Sequence, residues 1–321
     1  MPHLQQPPLW RTTSRRRLLH AGLAASTLAV AGRGPGRARA TQADPSSTAY
    51  AHPEWFVDAD WLLAHRADPA LRLLAFASAD EFSAGHIPGS ARVDGPALEL
   101  GDTAAEAPIA RWRAEMARLM ATLGITDDST VVAYDTGSLF ATRPWWVLRY
   151  LGHEDVRILD GGLAAWEMAG GAIETGAASM SQATPAASPG KTSAFRADLL
   201  APLDAVRAAL GNPEVVIIDA RPLEEYVAGH IPGAVNISYP RNAEPEPPKV
   251  WRPAAELLAM YEEVGVTPDK RIIPYCNSGV RSSVTDFTLR ALGYERVSLF
   301  TGSWNEWTEH ADLPITSGPN P

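Results

Sequence analysis

The single cysteine of the chain, Cys276, is followed by Asn277-Ser278-Gly279-Val280-Arg281, between an apolar run ending at Tyr275 and a helical pattern beginning near Ser282. A strand–loop–helix junction of this kind gathers backbone N–H groups toward one point, and the helix N-terminus adds partial positive charge. Both effects favour thiolate over thiol, so Cys276 is expected to act as a nucleophile. Asn277, Ser278, Gly279 and Val280 would supply the N–H cradle, and Gly279 permits its tight curl. Arg281 offers a planar fork of donors for an oxyanion or a negative persulfide; its alternative is an outward, solvated arginine. A buried, inert cysteine is the commoner case for a lone thiol, so the surrounding pattern has to decide.

Loop length separates two chemistries. A cysteine phosphatase wraps phosphate with Cys, five residues and Arg, whereas four residues separate Cys276 from Arg281. The shorter loop suits one sulfur atom. A reductase with its own resolving thiol would need a second cysteine. The eight histidines are scattered and no Cys/His cluster has ligand spacing, so no metal is implied. No phosphate-binding glycine motif is present, so no nucleotide cofactor is implied either.

The elements that must hold this loop occur twice. Glu81 to Gly89, containing Gly85-His86-Ile87-Pro88-Gly89, is echoed by Glu225 to Gly233 at an offset of 144. Val131 to Tyr134 and Gly161 to Trp166 return as Ile272 to Tyr275 and Gly302 to Trp307 at an offset of 141. Each copy alternates short apolar runs with helical patterns, which predicts an α/β fold: two similar domains, each a parallel sheet covered by helices on both faces. Pro274 conflicts with its place in a central strand, where an N–H is needed.

The repeat is an internal control, because what both copies keep belongs to the scaffold and what one copy keeps is a candidate for function. His86 and His230 occur in both and read as turn-stabilising; Trp166 and Trp307 read as core. Asp135 stands where the second copy has Cys276, and an aspartate carries no transferable sulfur, so the first domain is expected to be silent. Asp219 and Arg221 align with Ala75 and Ala77. They are expected to brace the active loop, the alternative being an ordinary surface ion pair. Arg143 is a candidate for reaching across from the first domain, but its place at a helix start reads as structural.

The two Gly-His-Ile-Pro-Gly turns, the loop at Cys276 and its Asp135 counterpart together resemble the tandem-domain rhodanese family of thiosulfate and 3-mercaptopyruvate sulfurtransferases, over residues 54 to 315. The resemblance implies a five-stranded parallel sheet per domain, an active site at the domain interface, and double displacement through a Cys276 persulfide. Mercaptopyruvate enzymes typically carry Cys-Gly-Ser-Gly-Val-Thr; Arg281 in place of that threonine favours thiosulfate as donor, with cyanide or a thiol as acceptor. 3-Mercaptopyruvate, another persulfide donor and a sulfur relay to a dedicated partner are the alternatives. The family's substrate arginine has no counterpart in Pro222-Leu223-Glu224-Glu225-Tyr226, so Arg241, Lys249 or Arg252 from the next loop is expected to compensate.

Residues 1–40 resemble a twin-arginine export signal: Ser14-Arg15-Arg16-Arg17-Leu18-Leu19, an apolar stretch to Ala31, and Ala38-Arg39-Ala40 before an expected cleavage. Fewer than 18 apolar residues, interrupted by His20, Ser26 and Thr27, are too few for a stable membrane anchor. Export machinery would be a transient partner and the periplasm, or another exported location, the destination. The segment carries seven arginines and no acid, so cleavage takes the net charge from −9 to −16, which argues against nucleic acid and anionic membranes as partners. The expected organisation is a first domain over 54–174, a linker over 175–193 rich in Ala, Ser, Thr, Pro and Gly, and a catalytic domain over 194–317.

Overall fold

The computed structural model describes residues 49–177 and 195–321. The export segment and most of the linker lie outside the described residues. In the first half, β1 (Phe56–Val57), β2 (Leu71–Phe76), β3 (Ala91–Val93), β4 (Thr130–Tyr134) and β5 (Val156–Leu159) form one parallel sheet in the order β1-β5-β4-β2-β3. Its helices are α1 (Ala59–His65), α2 (Ala79–Ala84), α3 (Glu106–Thr122), α4 (Thr142–Tyr150) and α5 (Gly162–Met168). The strands are almost continuously apolar, as a sheet buried on both faces demands.

The second half repeats the plan with α6 (Leu203–Ala209), β6 (Val215–Asp219), α7 (Leu223–Ala228), β7 (Val235–Asn236), α8 (Ala254–Glu262), β8 (Arg271–Tyr275), α9 (Val280–Ala291) and α10 (Ser303–Glu309). Three strands pair in the order β7-β6-β8, and the two remaining rows are reduced to parallel bridges, Ile272 with Val297 and Leu200 with Leu299. Pro274 accounts for part of that reduction. Arg271 N–H and Tyr275 C=O serve the β6 side of β8, at 3.0 and 2.9 Å, so the β6 ladder is complete. Residues 272 and 274 face the other side, where Ile272 donates to Arg296 and Phe300 donates to the Pro274 carbonyl. The donor that proline lacks is missing from that row alone, so the strand survives its proline.

Both repeated turns are scaffold. His86 and His230 each place Nδ1 on the carbonyl four residues back, at 2.9 and 2.8 Å, and stack on Phe82 and Tyr226. Trp166 and Trp307 are core residues whose Nε1 groups donate to the Ala172 and Pro314 carbonyls.

The halves meet along α4 and α9, the helices that follow the two equivalent loops. Thr142 and Ser283, equivalent at offset 141, share a hydrogen bond of 2.8 Å between their hydroxyls, so the repeat axis runs between them. Around them lies one shared apolar core, in which Phe287 of α9 meets Trp145, Phe56, Trp251 and Trp55 with ring centroids 4.9 to 6.3 Å apart. Each half keeps a second, private core on its outer face.

Two residues of this shared interior report directly on what it contributes. Phe287→Ala opens a cavity among four rings and should cost about 3–5 kcal/mol, read as a lower urea midpoint with both halves still unfolding in one transition. The second is Asp160, which accepts the Trp251 N–H across the interface at 3.0 Å and whose carboxyl is raised by burial to about 6. Between roughly pH 4 and 6 the unfolded chain ionises this group before the folded one does, so it lowers stability as pH rises. Asp160→Asn keeps an acceptor for Trp251. It should therefore gain on wild type by on the order of 1–2 kcal/mol between pH 4 and 7 in thermal melts; a constant difference would refute the role.

Candidate active site

Cys276 leaves the end of β8, and α9 starts at Val280, two residues earlier than the sequence pattern suggests, with Gly279 left-handed at φ 84° as its N-cap. Val280 and Arg281 therefore lie in the first helical turn rather than in the loop. A side chain at Gly279 would be strained by that φ and would press on Thr301, 3.0 Å away. The cysteine is 1% exposed. Ser282, the third residue of α9, donates its Oγ to Sγ at 3.4 Å.

The first half shows what such a loop binds. Asp135 folds its carboxylate into its own loop, where Oδ1 accepts the N–H groups of Gly137, Ser138 and Leu139 at 2.6, 2.8 and 3.2 Å, and Oδ2 accepts that of Ala141 at 2.9 Å. Four donors on one carboxylate make an anion site filled by the chain itself. At offset 141 the matching N–H groups are those of Ser278, Gly279, Val280 and Ser282. They make no hydrogen bond among the described residues.

Asp219 and Arg221 are not a surface pair. They are 0% and 2% exposed, joined by Nη2 to Oδ2 at 2.6 Å and Nε to Oδ1 at 3.0 Å. Arg221 also donates to the Gly229 carbonyl of the repeated turn at 2.6 Å, and Tyr275 donates its hydroxyl to Asp219 at 2.6 Å. The residue before Cys276 is thus tied to the turn through a buried ion pair, and burial together with Asp219 raises the Tyr275 hydroxyl far above its usual range. In the first half Tyr134 donates to Ser90 instead, a neutral substitute.

Arg281 is held in a bidentate pair by Glu225 of α7, at 2.7 and 3.0 Å. Burial works against its charge, but Glu225 and Cys276 together more than offset this, and with the side chain only 19% exposed and clasped by Glu225 it is not an outward, solvated arginine. Its charge is nonetheless largely matched by Glu225. The next-loop bases are not tied into the cysteine loop by any hydrogen bond or ion pair among the described residues. Arg252 donates Nε to the Ala243 carbonyl at 3.2 Å, Arg241 is exposed, and neither Arg241 nor Lys249 makes a side-chain hydrogen bond or ion pair among the described residues.

Three contributors were not singled out by sequence reasoning. Ser303 takes a positive φ of 57° where the first half has Gly162 at the same angle, a cost of roughly 1–2 kcal/mol for a side chain. In return its Oγ accepts the Cys276 N–H at 3.2 Å and donates to Phe300 at 2.7 Å. Tyr239 has its hydroxyl raised above its usual range by burial first and then by the charges of Asp135 and Cys276 against that of Arg281, and its ring lies 5.3 Å from Phe140 of the first half. Glu225 is the third. The offset comparison of Ser303 with Gly162 was the available signal for the first; Tyr239 and Glu225 left none.

Residues 58–169 and 202–310 each match the rhodanese-like domain family. The chain is 36% identical over 284 residues to 3-mercaptopyruvate sulfurtransferase of Escherichia coli K12, covering 81% of this chain and 97% of that protein. It is 33% identical over 257 residues to thiosulfate sulfurtransferase of Pseudomonas aeruginosa, covering 77% and 91%. It is also 34% identical over 303 residues to the sulfur carrier protein TtuD of Thermus thermophilus, covering 84% and 99%. Among solved structures, the anaerobic ergothioneine biosynthesis enzyme of Chlorobium limicola superposes with a TM-score of 0.71 over 83% of this chain and 70% of its own, at 24% identity, a likeness of fold alone. Two matched domains, and relatives above 30% identity along nearly their whole length, make the chain a member of the rhodanese family, a tandem-domain sulfurtransferase.

Proposed function

We propose that the chain moves a sulfane sulfur from thiosulfate to cyanide or a thiol through a persulfide on Cys276, with the first domain silent. The observation that carries this reading is the pair of equivalent loops: one closed on the carboxylate of Asp135, the other offering the same four N–H groups around Cys276. In the first step the Cys276 thiolate attacks the outer sulfur of thiosulfate. The S–S bond of the donor breaks, and sulfite leaves with its electron pair. The outer sulfur stays on Cys276 as an anionic persulfide, and the loop N–H groups, Ser282 Oγ and Arg281 supply donors to it. In the second step cyanide or a thiolate attacks that outer sulfur, takes it as thiocyanate or a new persulfide, and returns the Cys276 thiolate. Asp219, Arg221 and Tyr275 hold the strand end from which the nucleophile projects.

Thiosulfate is preferred to 3-mercaptopyruvate because a guanidinium, not a threonine, stands at position 281, in the first turn of α9. The check is thiocyanate production from thiosulfate and cyanide, with Cys276→Ser alongside. Steady turnover should fall by at least about 10⁴-fold in the variant, as expected when the only nucleophile is removed. Wild-type protein that releases sulfite once per Cys276 and then stops would instead favour a relay, the role named in the Thermus relative.

We also propose that residues 1–40 direct export through the twin-arginine route and are removed near Ala40, leaving a periplasmic or otherwise exported enzyme without a membrane anchor. The basis is the Ser14 to Leu19 motif and the arginines that persist to Arg39. Replacing Arg15 and Arg16 together by lysine should leave uncleaved chain in the cytoplasm when fractions are blotted. Unimpaired export of that variant would refute the route.

A further inference from the structure

We propose that Arg143, a residue of the silent first domain, sets the positive potential at Cys276 and thereby selects anionic sulfur donors. Arg143 sits in the first turn of α4 and is 0% exposed. Its Nη2 donates to the Leu98 carbonyl at 2.7 Å, while Nε and Nη1 make no hydrogen bond among the described residues. Nη1 lies 3.2 Å from the point a Cβ on Gly279 would occupy, so the guanidinium reaches the underside of the cysteine loop, and Cys276 is among the charges acting on it. Thr301, whose backbone lies 3.0 Å from the same point, also has a buried hydroxyl without a partner among the described residues.

What distinguishes Arg143 is its charge balance. Arg221 is neutralised by Asp219 and Arg281 by Glu225, but no acid forms an ion pair with Arg143 among the described residues. The one carboxylate acting on it besides the cysteine, Glu99, is exposed and therefore screened. Burial lowers the guanidinium to about 10, still charged at neutral pH. The guanidinium also lies over the face of Trp146, with Cζ 5.1 Å from the ring centroid. A thiolate that must meet a dianionic donor faces like-charge repulsion, and a fixed, desolvated cation beside the loop offsets it more than a paired surface arginine does. Val284 stands at the equivalent place in α9, so the second half supplies no such charge to the Asp135 loop.

The inference rests on Cys276 being the reactive atom. Because it is the only cysteine, alkylation of the full-length chain reports that atom alone. The measurement is the ratio of alkylation rates with iodoacetate, an anion, to those with iodoacetamide, its near-isosteric neutral counterpart. A folding defect slows both reagents together, whereas loss of positive potential slows only the first. Arg143→Gln should lower the ratio by roughly fivefold and Arg143→Lys should restore it to within about twofold. A ratio unchanged in Arg143→Gln overturns the proposal. Should that variant not fold, Glu225→Gln combined with Arg281→Gln decides, since it removes a neutral pair and should leave the ratio within about twofold of wild type. Collapse of the ratio to that of free N-acetylcysteine would assign the potential to Arg281 and overturn the proposal. A chain that keeps the Arg143-dependent ratio yet fails to turn over thiosulfate would defeat the thiosulfate reading alone.

Discussion

A strand that ends in a tight loop and runs straight into a helix exposes a cluster of N–H groups with nothing to bond to, and that cluster calls for negative charge. Everything distinctive in this chain is an answer to it. The first half answers permanently, with four N–H groups on the Asp135 carboxylate. In the second half the matching donors have no hydrogen-bond partner among the described residues and surround a cysteine, where the proposed persulfide would bring an anion and take it away again. An aspartate at that position fills the site from within the loop; a cysteine leaves the donors to an outside anion, and the loop needs bracing from outside. The bracing is visible as the Asp219–Arg221–Tyr275 link below the cysteine and as Ser303, strained into a positive φ to hold the Cys276 N–H.

Duplication supplies that bracing cheaply. Equivalent helices from the two halves pack against each other around the Thr142–Ser283 hydrogen bond, so the two loops are brought to the same region and share one aromatic interior. The cost of burying a polar loop is then spread over a core larger than either half could build alone. Burial to 1% exposure also removes water from around Cys276, which strengthens every charge and dipole aimed at the sulfur.

Much of this was legible in the residues. The offsets of 141 and 144 identified two copies, the alternation of apolar runs and helical patterns gave parallel sheets, and the contrast of Asp135 with Cys276 separated the halves. Pairing partners were not legible, because a side chain's neighbours across an interface leave no local trace. Glu225 lay in a stretch where a substrate arginine was sought, and it is bound to Arg281 instead. Arg241, Lys249 and Arg252 were named because they are basic and nearby in sequence, but the backbone turns Arg252 back to the Ala243 carbonyl. Pro274 looked incompatible with a central strand only because sequence does not say which neighbour each N–H faces.

Arg143 illustrates the same limit from the other direction. The comparison that set Asp219 and Arg221 apart also sets Arg143 apart, since Val284 occupies its counterpart, yet a basic residue in the first turn of a helix reads as an ordinary structural choice. Only packing reveals the difference. A cation in the first turn of α4 sits at the positive end of its own helix, which is an unfavourable place for it. Such a placement is tolerated where something nearby carries negative charge in the working state. The α4–α9 contact puts the cysteine loop there. A paired arginine in the first turn of α9 and one beneath the loop with no ion pair among the described residues then divide two tasks: Arg281, clasped by Glu225, is fixed in direction, and Arg143 has its charge free to act, as proposed, on the sulfur.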